Sequence, residues 1–137
     1  MAETIRQVDY YYTVAPNKAG EACRVLDGLK AAGINLLAFS GFPSGRRAQL
    51  DFIPEDPAAF VRAARAAKLK LSRRKKGFLI QGEDRPGAIC GVLSRLAQAR
   101  INVTAVDAAC AGAGRYGAIL WVKPRDVKKV AKLFGIG

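Results

Sequence analysis

The chain has 137 residues, with 23 Lys and Arg against 11 Asp and Glu, a formal net charge of +12. Half of its residues are apolar and a quarter charged, the mixture of a folded chain rather than a disordered one, and no apolar run approaches the roughly 20 residues that span a bilayer. Histidine is absent, which removes Ser-His and Cys-His nucleophile pairs, the usual zinc ligand sets and the commonest general base near neutral pH.

The opening Met1-Ala-Glu-Thr-Ile-Arg6 lacks the apolar core of a signal peptide. Three cysteines, an odd number, argue against a disulfide scaffold, so a reduced cytoplasmic protein is expected. Arg6 to Val14, rich in β-branched and aromatic residues, predicts a strand with Tyr10 and Tyr12 on one face and Tyr11 on the other. Ala22, Val25, Leu26 and Leu29 then form one apolar stripe, predicting a helix over Gly20–Ala32 that Gly33 ends in a left-handed conformation. An apolar run from Ile34 to Phe39, a loop with Gly41, Pro43, Ser44 and Gly45, and a returning strand at Arg47 to Ile53 follow. A second helix is expected over Pro57 to Ala67, with proline suited to its first turn, and a further strand near Leu69 to Arg73.

The order then recurs. Shifting the sequence by 67 residues lays Gly20, Cys23, Val25, Leu26, Leu29, Ala32, Ile34, Asn35 and Ala38 on Gly87, Cys90, Val92, Leu93, Leu96, Ala99, Ile101, Asn102 and Ala105, nine identities in nineteen positions without a gap. The second copy predicts a helix over Gly87–Ala99, strands at Ile101 to Ala109 and Tyr116 to Val122, and a helix over Pro124 to Leu133. Arg100 stands where the first copy has Gly33, a weaker helix stop. The expected class is α/β (α+β): two ferredoxin-like βαββαβ units, antiparallel sheets with helices on one face, over residues 1–72 and 73–137. The second copy reaches Gly137 too early for a full last strand. Its sheet is either three-stranded or completed by residues 69–81 or by a partner chain.

A strand, then Asp84-Arg85-Pro86-Gly87, an amphipathic helix and Arg100-Ile-Asn102-Val resemble the signature of the ACT domain, a small ligand-binding regulatory module of amino-acid metabolism. The first copy, Asn17-Lys-Ala-Gly20 to Gly33-Ile-Asn35-Leu, is similar, with Ala19 in place of the usual proline. The resemblance covers nearly the whole chain and implies two tandem modules associated sheet to sheet, an amino acid bound where modules meet, and a regulatory, allosteric output; separately, the open sheet edge of the short second copy predicts a homodimer through sheet edges or sheet faces. Within it, the backbone amides of Gly87, Ala88 and Ile89 at a helix start suit a carboxylate, and Asp84 and Asn102 suit an ammonium. Arg85 and Pro86 shape the same loop, and Asn17, Gly20 and Asn35 are the first-copy equivalents. Asp84 reads equally well as a helix cap, and Asn35 and Asn102 as residues that satisfy the turn into a strand. Glu21 beside Gly20 competes with a bound carboxylate, which favours the second-copy loop.

Cys23 and Cys90, next to the apolar stripes, read as small buried packing residues. Cations crowd 68–76 and stud the last helix at Lys123, Arg125, Lys128, Lys129 and Lys132. They read as a solvated face or as a surface for an acidic protein or nucleic acid. Nucleic acid is the alternative function, with Tyr10, Tyr12 and Tyr116 as partial stacking candidates, although the consensus run of the RNA-recognition fold is missing. Glu55 and Asp56 look like helix-start residues. No metal-ligand cluster, phosphate-cradling glycine loop or nucleophile motif is present, so the reading is a non-catalytic protein without cofactor, metal or membrane partner.

Overall fold

Residues 3–136, the part that the structure (a computed structural model) describes, form β1 Thr4–Pro16, α1 Glu21–Ala31, β2 Leu36–Ser44, β3 Arg47–Pro54 and α2 Pro57–Ala66. They continue as β4 Lys75–Glu83, α3 Cys90–Gln98, β5 Val103–Gly112, β6 Arg115–Val122, a 3-10 turn Pro124–Asp126 and α4 Val127–Leu133. Met1 and Ala2 of the opening segment, and Gly137 at the end of the second expected domain, lie outside the described residues. The class is α+β, with antiparallel sheets of the ferredoxin-like kind.

Contacts group the chain into two units. One is Asp9–Lys75, and the other joins the chain through Val8 to Lys76 and onward. The grouping departs from a linear cut at 72/73 because β1 is divided between the units. Its residues Thr4–Val8 lie beside β4, where Ile5 packs against the core of Phe78, Ile80, Val92, Leu96 and Leu120. This answers how the second copy completes its sheet: residues 75–81 belong to its first strand, β4, and the start of β1 rather than a partner chain lies on the other side of β4.

In the Asp9–Lys75 unit, β3 lies between β2 and β1, with Tyr11 opposite Phe52 and Ala15 opposite Ala48. Tyr11, Ala15, Leu50 and Phe52 face the helices and meet Val25 and Leu29 of α1 and Phe60 of α2. Phe60 sits 5.5 Å from the Tyr11 ring and 5.3 Å from the Phe52 ring. Burying one such side chain contributes about 1.5–3 kcal/mol. The strand expected near Leu69 to Arg73 is instead an extended tether, held by the Ser72 N–H donating to the Tyr12 carbonyl at 2.8 Å and the Thr13 hydroxyl donating to the Lys70 carbonyl. Asp56 caps α2, accepting from the Ala59 N–H at 3.2 Å.

The repeat is preserved in the packing: Val25 and Leu29 of α1 correspond to Val92 and Leu96 of α3, and all four are buried. The cysteine expectation is corrected, because Cys23 and Cys90 are exposed. Each lies two residues, about 200° of helix turn, before the buried valine and so points outward. The last helix is also corrected: its first turn is 3-10, and α proper begins at Val127.

Gly33 ends α1 at φ +73° as expected, and Arg100 takes the same left-handed conformation at φ +60° after α3. A side chain with a Cβ is strained there. Arg100→Gly should stabilise the protein by about 1 kcal/mol, raising the melting temperature by roughly 2–5 °C; a calorimetric scan that shows a fall would contradict this account.

Candidate functional site

The two loops between first strand and first helix share a backbone device. Gly20 and Gly87 both adopt positive φ, at +88° and +69°. They diverge after that point. In the first copy α1 begins directly at Glu21, whereas α3 begins only at Cys90. The residues 85–89 form a tight turn in which the Ala88 N–H donates to the Arg85 carbonyl at 3.1 Å and the Cys90 N–H to the Gly87 carbonyl at 2.9 Å. Ala88 itself is buried in the core. Asp84, Arg85, Pro86 and Gly87 are exposed, Ile89 is half-buried and Asn102 is exposed at the start of β5.

The second-copy loop is also tied to the β5–β6 hairpin and to the chain start. The Asp84 N–H donates to the Gly114 carbonyl at 2.8 Å. Asp84 lies near the Cys110 thiol of β5 and pushes that thiol's pKa above its ordinary value, ahead of burial in size. Arg85 reaches Glu3 at 3.6 Å. Of the groups expected to grip an amino acid here, the Ala88 amide is taken up within the turn and Asp84 is tied to the hairpin through its own N–H.

The first-copy loop is different. Between it and the β2–β3 hairpin lies a groove of about 280 Å³, near the small end of the roughly 300–1,000 Å³ typical of ligand cavities. Asn17, Lys18 and Glu21 line its polar side, and Phe39, Phe42, Pro43 and Leu50 its apolar side. Phe39 and Phe42 are 37% and 43% exposed, among the few large apolar side chains left open to water. Phe39 is anchored by its ring contact with Phe52 at 5.5 Å. Where the second copy has Cys110 near Asp84, the first has Phe42 and Pro43 beside open space. Glu21 pairs with Arg24 at 2.9 Å, which draws its carboxylate partly away from the groove. Asn35 is outside it: its side-chain amide donates to Glu55 at 3.4 Å, and its carbonyl accepts from the Glu55 N–H. That is the turn-satisfying role. Phe39 and Phe42 were missed in the sequence as site residues. Their signal was two phenylalanines in an edge strand whose second-copy counterpart is rich in alanine.

The aromatic residues weighed for base stacking do not form an open platform. Tyr116 lies in the core, 6% exposed. The Tyr10 hydroxyl is pushed up to about 12 by burial first, then by the nearby Asp51 carboxylate and Tyr12. Lys75 lies over the Tyr12 ring at 5.8 Å.

A raised pKa leaves less thiolate near neutral pH, and thiolate is the nucleophile. Asp84→Asn removes the main cause and should lower the Cys110 pKa, so that iodoacetamide at pH 8 labels Cys110 faster while Cys23 and Cys90 in the same chain keep their rates. Peptide mass spectrometry reads all three, and an unchanged Cys110 rate would refute the Asp84 contact.

No family model matches the sequence, and no curated protein matches it. Solved structures do. Protein BT0572 of Bacteroides thetaiotaomicron is similar with a TM-score of 0.79 at 19% identity, over 96% of this chain and 91% of that one. The ligand-free regulatory subunit of aspartate kinase from Thermus thermophilus gives 0.66 at 13% identity, over 98% and 96%. The same subunit from Thermus flavus gives 0.55 at 16%, over 97% and 95%. At such identities the likeness carries the fold, and the fold of this chain is ACT-like.

Proposed function

We propose that this chain is a non-catalytic regulatory protein of two tandem ACT-like modules, which binds a free amino acid beside a first-strand–first-helix loop and passes that state to a partner protein. The groove bounded by Asn17, Lys18, Glu21, Phe39 and Phe42 carries the reading. It offers a cation for a carboxylate, acceptors on Asn17 and Glu21 for an ammonium, and an aromatic wall for an apolar side chain. The fold shared with aspartate kinase regulatory subunits supports a regulatory role. The second-copy loop, with Asp84, Gly87, Ile89 and Asn102, is the competing position, and its groups are the more heavily partnered.

A thermal-shift screen of the twenty amino acids tests the reading, because a ligand that binds only the folded state raises the melting temperature. At least one amino acid, expected among those with apolar side chains, should do so. Calorimetry with that amino acid should then show Lys18→Ala losing ten- to a hundredfold in affinity, the loss of one charge-assisted bond at about 1.5–3 kcal/mol. Asp84→Ala and Asn102→Ala should stay within about twofold, and the reverse pattern would move the site to the second copy. A flat screen overturns the sensor reading.

The assembly proposed with it is a homodimer through a sheet edge. β5 stands at the edge of its sheet, paired only with β6, and every residue after Val103 is exposed. Its only charge is Asp107, so it lacks the lysines and prolines that usually protect free edges. Light scattering at tens of micromolar should return twice the chain mass, and a monomer mass would count against the dimer.

A further inference from the structure

The net charge of +12 far exceeds the single cation that the groove uses, and five of the exposed cations fall together at residues 123–132, across the 3-10 turn and α4. From Lys123 to Lys132, five of ten residues are cations against a single acid. Lys123, Arg125, Lys128, Lys129 and Lys132 are all exposed, while Val130 and Ala131 turn inward and Val127 packs against the core. The acid, Asp126, is buried and reaches only Lys129, at 3.7 Å, an exposed pair of little strength. Lys128 and Lys132 are one turn apart on α4 with Lys129 beside them, and Lys123 and Arg125 are exposed in the chain that leads directly into it.

The repeat supplies a second observation. α2 occupies the place of α4 in the first copy, and the two helices share few residues beyond Pro57/Pro124 and Ala64/Ala131. Even so, Arg62 and Arg65 stand at the positions of Lys129 and Lys132 and are likewise exposed. Ordinary solvation of a helix face is met as well by glutamate or glutamine, yet both copies place cations there.

The chemistry of the face also selects among anionic partners. Protein interfaces are anchored by buried aromatic and aliphatic side chains and are depleted in lysine. The exposed side of 123–132 has four lysines and one arginine, three of those lysines on α4, and no aromatic or large aliphatic residue; among the described residues the large apolar side chains open to water are Val14, Phe39, Phe42 and Val106, all elsewhere. A row of flexible point charges without apolar anchors suits a phosphate backbone, where neutralisation releases condensed counterions. We propose that the exposed basic surface of residues 123–132, the 3-10 turn and α4 together, binds the sugar–phosphate backbone of nucleic acid without reading its sequence. This surface is independent of the amino-acid groove.

The test is fluorescence anisotropy of the full chain with a labelled 20-base-pair DNA duplex between 50 and 200 mM salt. Five phosphate contacts give a slope of log K against log salt near −4.5, a loss of about 500-fold across that range. Lys128→Gln/Lys129→Gln/Lys132→Gln, exposed changes checked by an unaltered melting curve, should flatten the slope by about 2.7, leaving a loss of roughly tenfold. Lys30→Gln, an exposed change on α1 that belongs to neither surface, should leave more than nine-tenths of the affinity at 50 mM salt. Three results overturn the proposal: no binding at 50 mM salt, a slope that the triple change leaves intact, or equal or tighter binding of poly-glutamate at the same ionic strength, which would assign the face to an acidic protein.

Discussion

The segment Thr4–Val8 beside β4 is the contact on which the second half of the molecule depends. Among the described residues, those from Lys75 onward supply three strands, β4, β5 and β6, with the helices α3 and α4 and a 3-10 turn. β4 contains Phe78 and Ile80, both 1% exposed, so one of its edges cannot be left to solvent without loosening that core. A strand placed there satisfies the edge hydrogen-bonding groups and adds Ile5 to the apolar cluster. Because β1 runs on into Tyr11, Thr13 and Ala15 of the other unit, one continuous strand serves two cores. Sequence neighbours are therefore divided between units while distant segments are joined.

The loops after the first strands show how one backbone device is put to two uses. Both turn on a left-handed glycine, Gly20 or Gly87. In the second copy, the bond from the Asp84 N–H to the Gly114 carbonyl fastens the loop to the neighbouring hairpin. In the first, bulky Phe42 and Pro43 hold the hairpin side apart and leave a groove. A polar group already bonded must give up that bond to take a ligand, which cancels most of the gain. Open space lined by a cation and two exposed aromatic rings carries no such cost. This is the physical ground for setting the first-copy loop ahead of the second.

Charge is distributed by a different rule from the core. The apolar positions of the repeat are kept in both copies because each must fill the same space between sheet and helices. The outward positions are free to vary, and they accumulate cations on α2, on the tether at 68–74 and on α4. The proposed functions thus rest on two different chemistries: a small groove suited to shape and paired charges, and an exposed basic surface suited to charge density alone.

The sequence by itself determined the repeat, the fold class, the buried helix stripes and the order of the elements apart from the strand expected near Leu69 to Arg73, because each follows from local periodicity and from glycines that set backbone conformation. It also marked Asp56 as a cap and Gly33 as a helix stop, since both act on their own neighbours. Tertiary structure decided the rest. Which strand completes the second sheet depended on pairing across some seventy residues, and no local pattern in Thr4–Val8 announces β4 as its partner. The outward turn of Cys23 and Cys90 depended on where the sheet sits against each helix, a matter of about 200° that adjacency to an apolar stripe does not resolve. Likewise the motif fixed the conformation of Asp84, Arg85 and Gly87, but whether their groups face a ligand or meet Cys110, Glu3 and Gly114 depended on residues brought alongside only by folding.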